Sequence, residues 1–120
     1  MIKITIPREK WLRGEVSWRK LWDGRLQNIS SLLNKDGMQC CVGHMLRQLG
    51  VPNDSLFEKS TAAAIYSLPP TARWLIGPNG NSSDALDLYR LNDSTETSDE
   101  EKEKRIIEIA AQHGLDVEFV

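Results

Sequence analysis

The chain has little of the chemistry that usually announces a function. Cysteine occurs only twice in 120 residues, at the adjacent positions Cys40 and Cys41. A disulfide between neighbours is strained and a reducing compartment keeps thiols free, so no disulfide framework is expected. Histidine also occurs only twice, as His44 and His113, with neither Cys-x-x-Cys nor His-x-x-x-His spacing. The usual four-ligand zinc patterns are thereby excluded, and no metal is expected. No apolar run approaches the roughly 20 residues that span a bilayer. The N-terminus carries no apolar signal core, which points to a cytosol rather than to export or a membrane. The Gly-x-x-x-x-Gly-Lys pattern is missing, and the glycine-rich stretch from 77 to 83 has no lysine, so no phosphate loop and no cofactor motif is present. Nor is there a basic surplus. The net charge is -2 and no recognition-helix motif with clustered cations occurs, which argues against DNA binding.

What is present is uneven. Residues 1 to 50 hold nine Lys/Arg against four acids, a balance of +5, and the remainder holds six against thirteen, a balance of -7. Such asymmetry permits an anionic ligand on the N-terminal half. It equally fits two halves that face one another, within one molecule or across a homo-oligomer.

The most organised stretch runs from Leu32 to Gly50. Asn34 to Gly37 is turn chemistry, because Asn and Asp tolerate the left-handed region and Gly enters it freely. Val42, Met45, Leu46 and Leu49 then recur at helical spacing, Gly50 sits at a C-cap position and Pro52 stops continuation. The stretch reads as strand, tight turn, strand and helix, with both thiols where strand becomes helix. At the termini, Ile2, Ile4 and Ile6 alternate with polar residues, as do Leu115, Val117 and Phe119. Both segments read as half-buried strands of matched length that pair with each other. Before the second of them, Ser98 or Thr97 followed by Glu100 or Glu101 is a capping box, acids fill the first turn, and Ile106, Ile109, Ala110 and His113 share one helical face. Leu86, Leu88 and Arg90 alternate as in a strand, although Ala85, Leu86 and Tyr89 also fit a helical turn. Asn92-Asp93 reads as an Asx-turn closing a loop, or as a ligand-binding carboxylate.

Two stretches offer chemistry. Trp18, Leu21 and Trp22 share one helical face, with Arg19, Lys20 and Arg25 off it. Two tryptophans among three cations can make a stacking and charge platform for a planar anion such as a nucleotide, with Trp18, Arg19, Lys20, Trp22 and Arg25 as its ligand-binding residues. An amphipathic helix with core tryptophans and solvated cations has the same pattern. The second stretch is Cys41-Val42-Gly43 opening a helix. A helix N-terminus lowers a thiol pKa, and the thiolate is the nucleophile. This segment resembles the nucleophile helix of the NlpC/P60 branch of papain-like cysteine peptidases. That resemblance implies a hydrolase using Cys41 with His113 as base, since His44, three residues past Cys41, is too close in sequence to match the family's pattern. The opposite reading makes Cys40 and Cys41 small buried hydrophobes.

A broader resemblance covers most of residues 19 to 112. Asp36-Gly37, Cys40-Cys41-Val42-Gly43, Leu68-Pro69, Trp74-Leu75 and Leu91-Asn92-Asp93 occur in this order. The set resembles small proteins of tailed phages and prophages with a Cys-Cys-Leu-Gly, Leu-Pro, Leu-Asn-Asp pattern, with Val42 in place of Leu. The resemblance implies a phage or prophage accessory protein in a bacterial cytosol. A small chain without a catalytic constellation is expected to act by stoichiometric binding, and analogy with phage genes that act on the host gives inhibition of an anti-phage defence system as its concrete form. The partner would be a bacterial defence protein or a small anionic nucleotide signal, the latter held between protomers of an oligomer. The expected fold is a single α+β domain over residues 1 to 120. Its small antiparallel sheet, made by the termini and the hairpin of residues 32 to 40, packs against the central and last helices.

Overall fold

The computed structural model describes residues 1–20, 26–65, 67–77 and 82–120, and for residues 15–20 and 26–29 the backbone alone. Among the described residues, four strands and four α-helices follow one another as β1 (Ile2–Ile6), β2 (Glu15–Lys20), β3 (Leu26–Ile29), α1 (Cys41–Gln48), α2 (Asn53–Leu56), α3 (Ser83–Asp93), α4 (Asp99–Ala111) and β4 (Leu115–Phe119). Short 3-10 turns cover Arg8–Lys10, Ala62–Ala64 and Pro70–Leu75. The class is α+β, as expected, but the sheet is not the expected one.

The terminal strands do pair, with Ile2 opposite Leu115, Ile4 opposite Val117 and Ile6 opposite Phe119, and they run parallel. Alternation specifies which face of a strand is buried, not which way its neighbour runs, so the orientation was not in the pattern. It comes from α4. Gly114 takes a left-handed φ of +80° and turns the chain back along the helix that precedes it, which sets the direction of β4. A parallel pair needs a long crossover, and here residues 7 to 114 supply it.

Residues 32 to 40 contribute no strand to this sheet. The turn forms as read, with Asn34 Oδ1 accepting from the amides of Asp36 and Met38 at 2.9 Å each. Its flanks make only isolated parallel bridges, Leu33 to Phe57 and Trp11 to Gln39. The second sheet is an antiparallel pair of β2 and β3, with Glu15 opposite Ile29, Val16 opposite Asn28 and Lys20 opposite Leu26. Residues 18 to 20 are therefore extended, and the helix expected through Trp18 does not form there.

The helices supply the core. Met45 and Leu46 of α1, Leu88 of α3 and Ile106 and Ala110 of α4 are fully buried with Ile4 and Ile6. Leu33, Leu49, Trp74 and Ile109 pack against them at the margin. The segment around Leu86 is a helix, because Ser82 caps it through Ala85 N and its buried residues Ala85, Leu88, Leu91 and Asn92 recur at intervals of three and four. Ser98 caps α4 by accepting from Glu101 N, as the capping box predicts. Among the described residues no helix is long and apolar enough to cross a membrane.

Candidate functional site

The junction of Cys40 and Cys41 is the chemical centre that the sequence offered. Cys40 is the N-cap of α1, its Sγ accepting from Gly43 N at 3.4 Å. The helix packs so tightly that a Cβ on Gly43 would lie 2.0 Å from the Leu32 carbonyl oxygen. This contact closes the junction to solvent: Cys40 is 2% exposed and Cys41 0%. Burial pushes the Cys40 thiol up to about 12, outweighing the hydrogen bond from Gly43. It also raises Cys41 well above the ordinary thiol range, with the nearby Cys40 and Asp93 charges adding to the effect. The helix N-terminus alone would favour a thiolate; in this setting the cost of taking a charge out of water prevails.

Beside the thiols lies a polar cluster that sequence reasoning missed. Asn92, 1% exposed, accepts through Oδ1 from the indole Nε1 of Trp11 at 2.8 Å and from Cys41 N at 3.0 Å. Both partners can only donate, which orients the amide. Its Nδ2 donates to Leu12 O at 2.9 Å, to Ser30 Oγ at 3.3 Å and to Asp93 Oδ1 at 3.0 Å. Ser30 Oγ donates in turn to Asp93 Oδ1, and Gly14 N donates to Ser30 Oγ at 2.7 Å. Lys102, buried in α4, donates through Nζ to Asn92 O at 3.0 Å, where a cation suits the carbonyl end of α3. Burial lowers the Lys102 pKa, against the raising influence of Asp99 and Asp93. Asn92-Asp93 is thus neither a loop-closing Asx-turn nor an open ligand site. The pair ends α3 and ties the loop before β2, the start of α1 and the side chain of Lys102 into one buried network. Helical phase carried on from Ala85 and Leu88 was the signal that could have shown Asn92 to be buried, and reading it as a loop residue hid that.

His113 does not share this cluster. Its ring stacks on Trp74 with centroids 3.9 Å apart and planes 5° from parallel, and Nε2 lies 2.6 Å from Asp84 Oδ2. The contact fastens the end of α4 to the first turn of α3. The Trp74 Nε1 is buried with no hydrogen-bond partner among the described residues. His44, 4% exposed on α1, points Nε2 at Lys10 O at 3.1 Å. A carbonyl only accepts, so this nitrogen carries the proton. Burial and the neighbouring Arg47 charge lower the His44 pKa, against the raising effect of the Lys10 carbonyl.

Of the nucleotide-platform residues, Trp18, Arg19 and Lys20 lie on β2, where the backbone alone is described, and Trp22 and Arg25 lie outside the described residues. The charge asymmetry has a visible use. Lys3 pairs with Glu118 at 2.8 Å, Arg8 with Glu103 at 2.7 Å and Arg13 with Asp99 at 2.8 Å, so cations of the first half meet acids of the second. Among the described residues no group of three or more His, Cys, Asp or Glu is placed to hold a metal ion. No protein-family model matches the chain, and neither does any curated protein or solved structure, so its role is read from its own residues.

Proposed function

We propose that this chain acts by stoichiometric binding, as an accessory protein of a tailed phage or prophage that inhibits a bacterial anti-phage defence system. The observation that carries the non-catalytic part is the sealing of both thiols, at 2% and 0% exposure, with the neighbouring amide and carboxylate engaged in buried hydrogen bonds. A nucleophile must meet its substrate, and these sulfurs are walled in by α1 and the Leu32 backbone. The phage assignment rests on the ordered motifs from Asp36-Gly37 to Leu91-Asn92-Asp93. The target takes one of two forms, a defence protein engaged through a Trp and Arg surface or an anionic nucleotide signal sequestered by Trp18, Arg19, Lys20, Trp22 and Arg25.

Two measurements test this reading together. Alkylation with iodoacetamide near neutral pH, mapped by mass spectrometry, should leave Cys40 and Cys41 slower to react than free cysteine. A fast-reacting Cys41 would restore the NlpC/P60-like hydrolase. A thermal-shift screen against bacterial nucleotide signals, run beside size-exclusion chromatography, then separates the two targets. A nucleotide that binds only the folded state raises Tm, by the equivalent of about 2.7 kcal/mol at a hundredfold excess over Kd. If no nucleotide shifts Tm and the protein runs as a monomer, sequestration fails and a protein target is left.

A further inference from the structure

A cleft of about 370 Å³ opens between the end of β1, the Asn34–Gly37 turn and the last turn of α1. Lys10, His44 and Arg47 line it together with Thr5, Gln39 and Gln48. No Asp or Glu does, although acids outnumber bases in the whole chain. The cations here are also spare. Lys3, Arg8 and Arg13 each hold a carboxylate, whereas Lys10 and Arg47 have no ion-pair partner among the described residues.

The walls of the cleft are built rather than incidental. Lys10 O accepts from Gln39 N at 3.0 Å and from the His44 ring, which anchors the lysine backbone to the core side of α1. Gln48 bonds Thr5 twice, Oε1 accepting from Thr5 N at 2.8 Å and Nε2 donating to Thr5 O at 2.7 Å, so its amide acts as a neighbouring strand along β1. Gln39, 1% exposed, donates through Nε2 to Gly43 O. The negative end of α1 lies close by, but three of its last four carbonyls are occupied, with Leu49 N on Met45 O, Gly50 N on Arg47 O and Val51 N on Leu46 O. Lys10 and Arg47, both exposed, thus line the opening with no ion-pair partner among the described residues, and the planar guanidinium of Arg47 suits two-pronged contact with an oxyanion.

From this geometry we infer that the Lys10–His44–Arg47 cleft binds the phosphate group of a small phosphorylated molecule. Two full positive charges match a phosphate dianion, and a single-sign cleft concentrates such ions. Its volume equals the liquid share of about a dozen waters, which leaves room beyond the phosphate for part of the molecule that bears it. The site is independent of the phage role: it stands or falls on these residues alone.

The test is a titration of the intact protein, followed by amide NMR and calorimetry, with inorganic phosphate and with adenosine 5′-monophosphate, against sodium chloride at matched ionic strength. Saturable shifts centred on Gly37, His44 and Arg47 are expected, with the monophosphate at least tenfold tighter than inorganic phosphate. Lys10 and Arg47 are exposed, so a K10Q/R47Q variant should keep the parent's Tm in chloride and lose at least tenfold in affinity. A single R47K variant, which keeps the charge and loses the fork, should fall between. Shifts no larger than those from chloride, a monophosphate no tighter than free phosphate, or undiminished binding by K10Q/R47Q would each overturn the assignment.

Discussion

Replacing Gly43 by Ala sets two effects of opposite sign against each other. In an exposed helix the change would stabilise by about 1 kcal/mol, since Ala is the best helix former and Gly among the worst. At this position the added Cβ would sit 2.0 Å from Leu32 O, 2.8 Å from Leu32 C and 2.9 Å from Leu32 Cα. Ordinary contact begins near 3.4 Å, so helix and loop must separate by about 1.4 Å. Neither side is free to move. Leu32 is fully buried with its amide on Lys59 O at 2.7 Å, and α1 is held by Cys40 N on Ser31 O and by Cys41 N on Asn92 Oδ1. Overpacking usually costs about 1–3 kcal/mol, and an obstacle made of backbone belongs at or above the upper end. The net expectation for G43A is a loss of about 2–3 kcal/mol. At this chain length that is a fall in Tm of roughly 8–12 °C, from about 4 °C per kcal/mol. Urea unfolding followed by circular dichroism measures it directly, as a lower midpoint at unchanged m-value. A midpoint equal to or above that of the parent would mean that α1 does not rest on Leu32, and that the glycine has no packing role.

Two further outcomes follow from the same region. Asn92→Ala removes the acceptor shared by Trp11 Nε1 and Cys41 N and the donor to Leu12 O, leaving three buried polar groups unpaired. At about 1–3 kcal/mol for each such group, and less than additive, urea unfolding should show a loss of about 3–5 kcal/mol; under 1 kcal/mol would show that the network contributes little. Stability should also fall in alkali. Burial raises the Cys40 thiol to about 12, and raises Cys41 and Tyr89 as well, so above pH 9 the unfolded chain releases protons that the folded one retains. The contribution is fully present below pH 9 and is lost as pH rises toward 12, with a slope approaching about 1.4 kcal/mol per pH unit for each group. Urea midpoints at pH 8, 9, 10 and 11 trace it, and a flat profile would place the thiols in contact with water.

Local signals in this chain were legible where one element decides them. The Ser98 cap, the Asn34 to Gly37 turn and the span of α1 depend on a few neighbouring residues, and all three formed as read. The alternation of Ile2 to Ile6 and of Leu115 to Phe119 also carried over into burial at Ile4, Ile6, Leu115, Val117 and Phe119, while Ile2 at the strand's start is 41% exposed. Strand direction and sheet membership were not legible, because pairing between residues more than a hundred positions apart is settled by the path of the chain between them. Around Trp18 two patterns competed. Trp and Val favour a strand as much as their spacing suggested a helix, and pairing with β3 decided for the strand.

The motif Cys40-Cys41-Val42-Gly43 looked like chemistry because a thiol at a helix start is how several hydrolases make a nucleophile. Its four positions here satisfy one packing demand. Gly43 lets the first turn of α1 touch the Leu32 backbone, and Cys40 returns its sulfur to the Gly43 amide as a cap small enough to fit beneath that contact. Cys41 and Val42 fill the space left below, and the Cys41 amide, which no helical carbonyl can reach, goes to Asn92. A larger cap would hold the helix away from Leu32, and the Asn92 amide receives two N–H groups while donating to Leu12 O. The same closeness that removes the thiols from water leaves the outer turn of α1 at the surface through Arg47 and Gln48, with the buried His44 fixed beneath them by Lys10 O. Recognition at that outer turn and burial at the inner one are two faces of a single eight-residue helix.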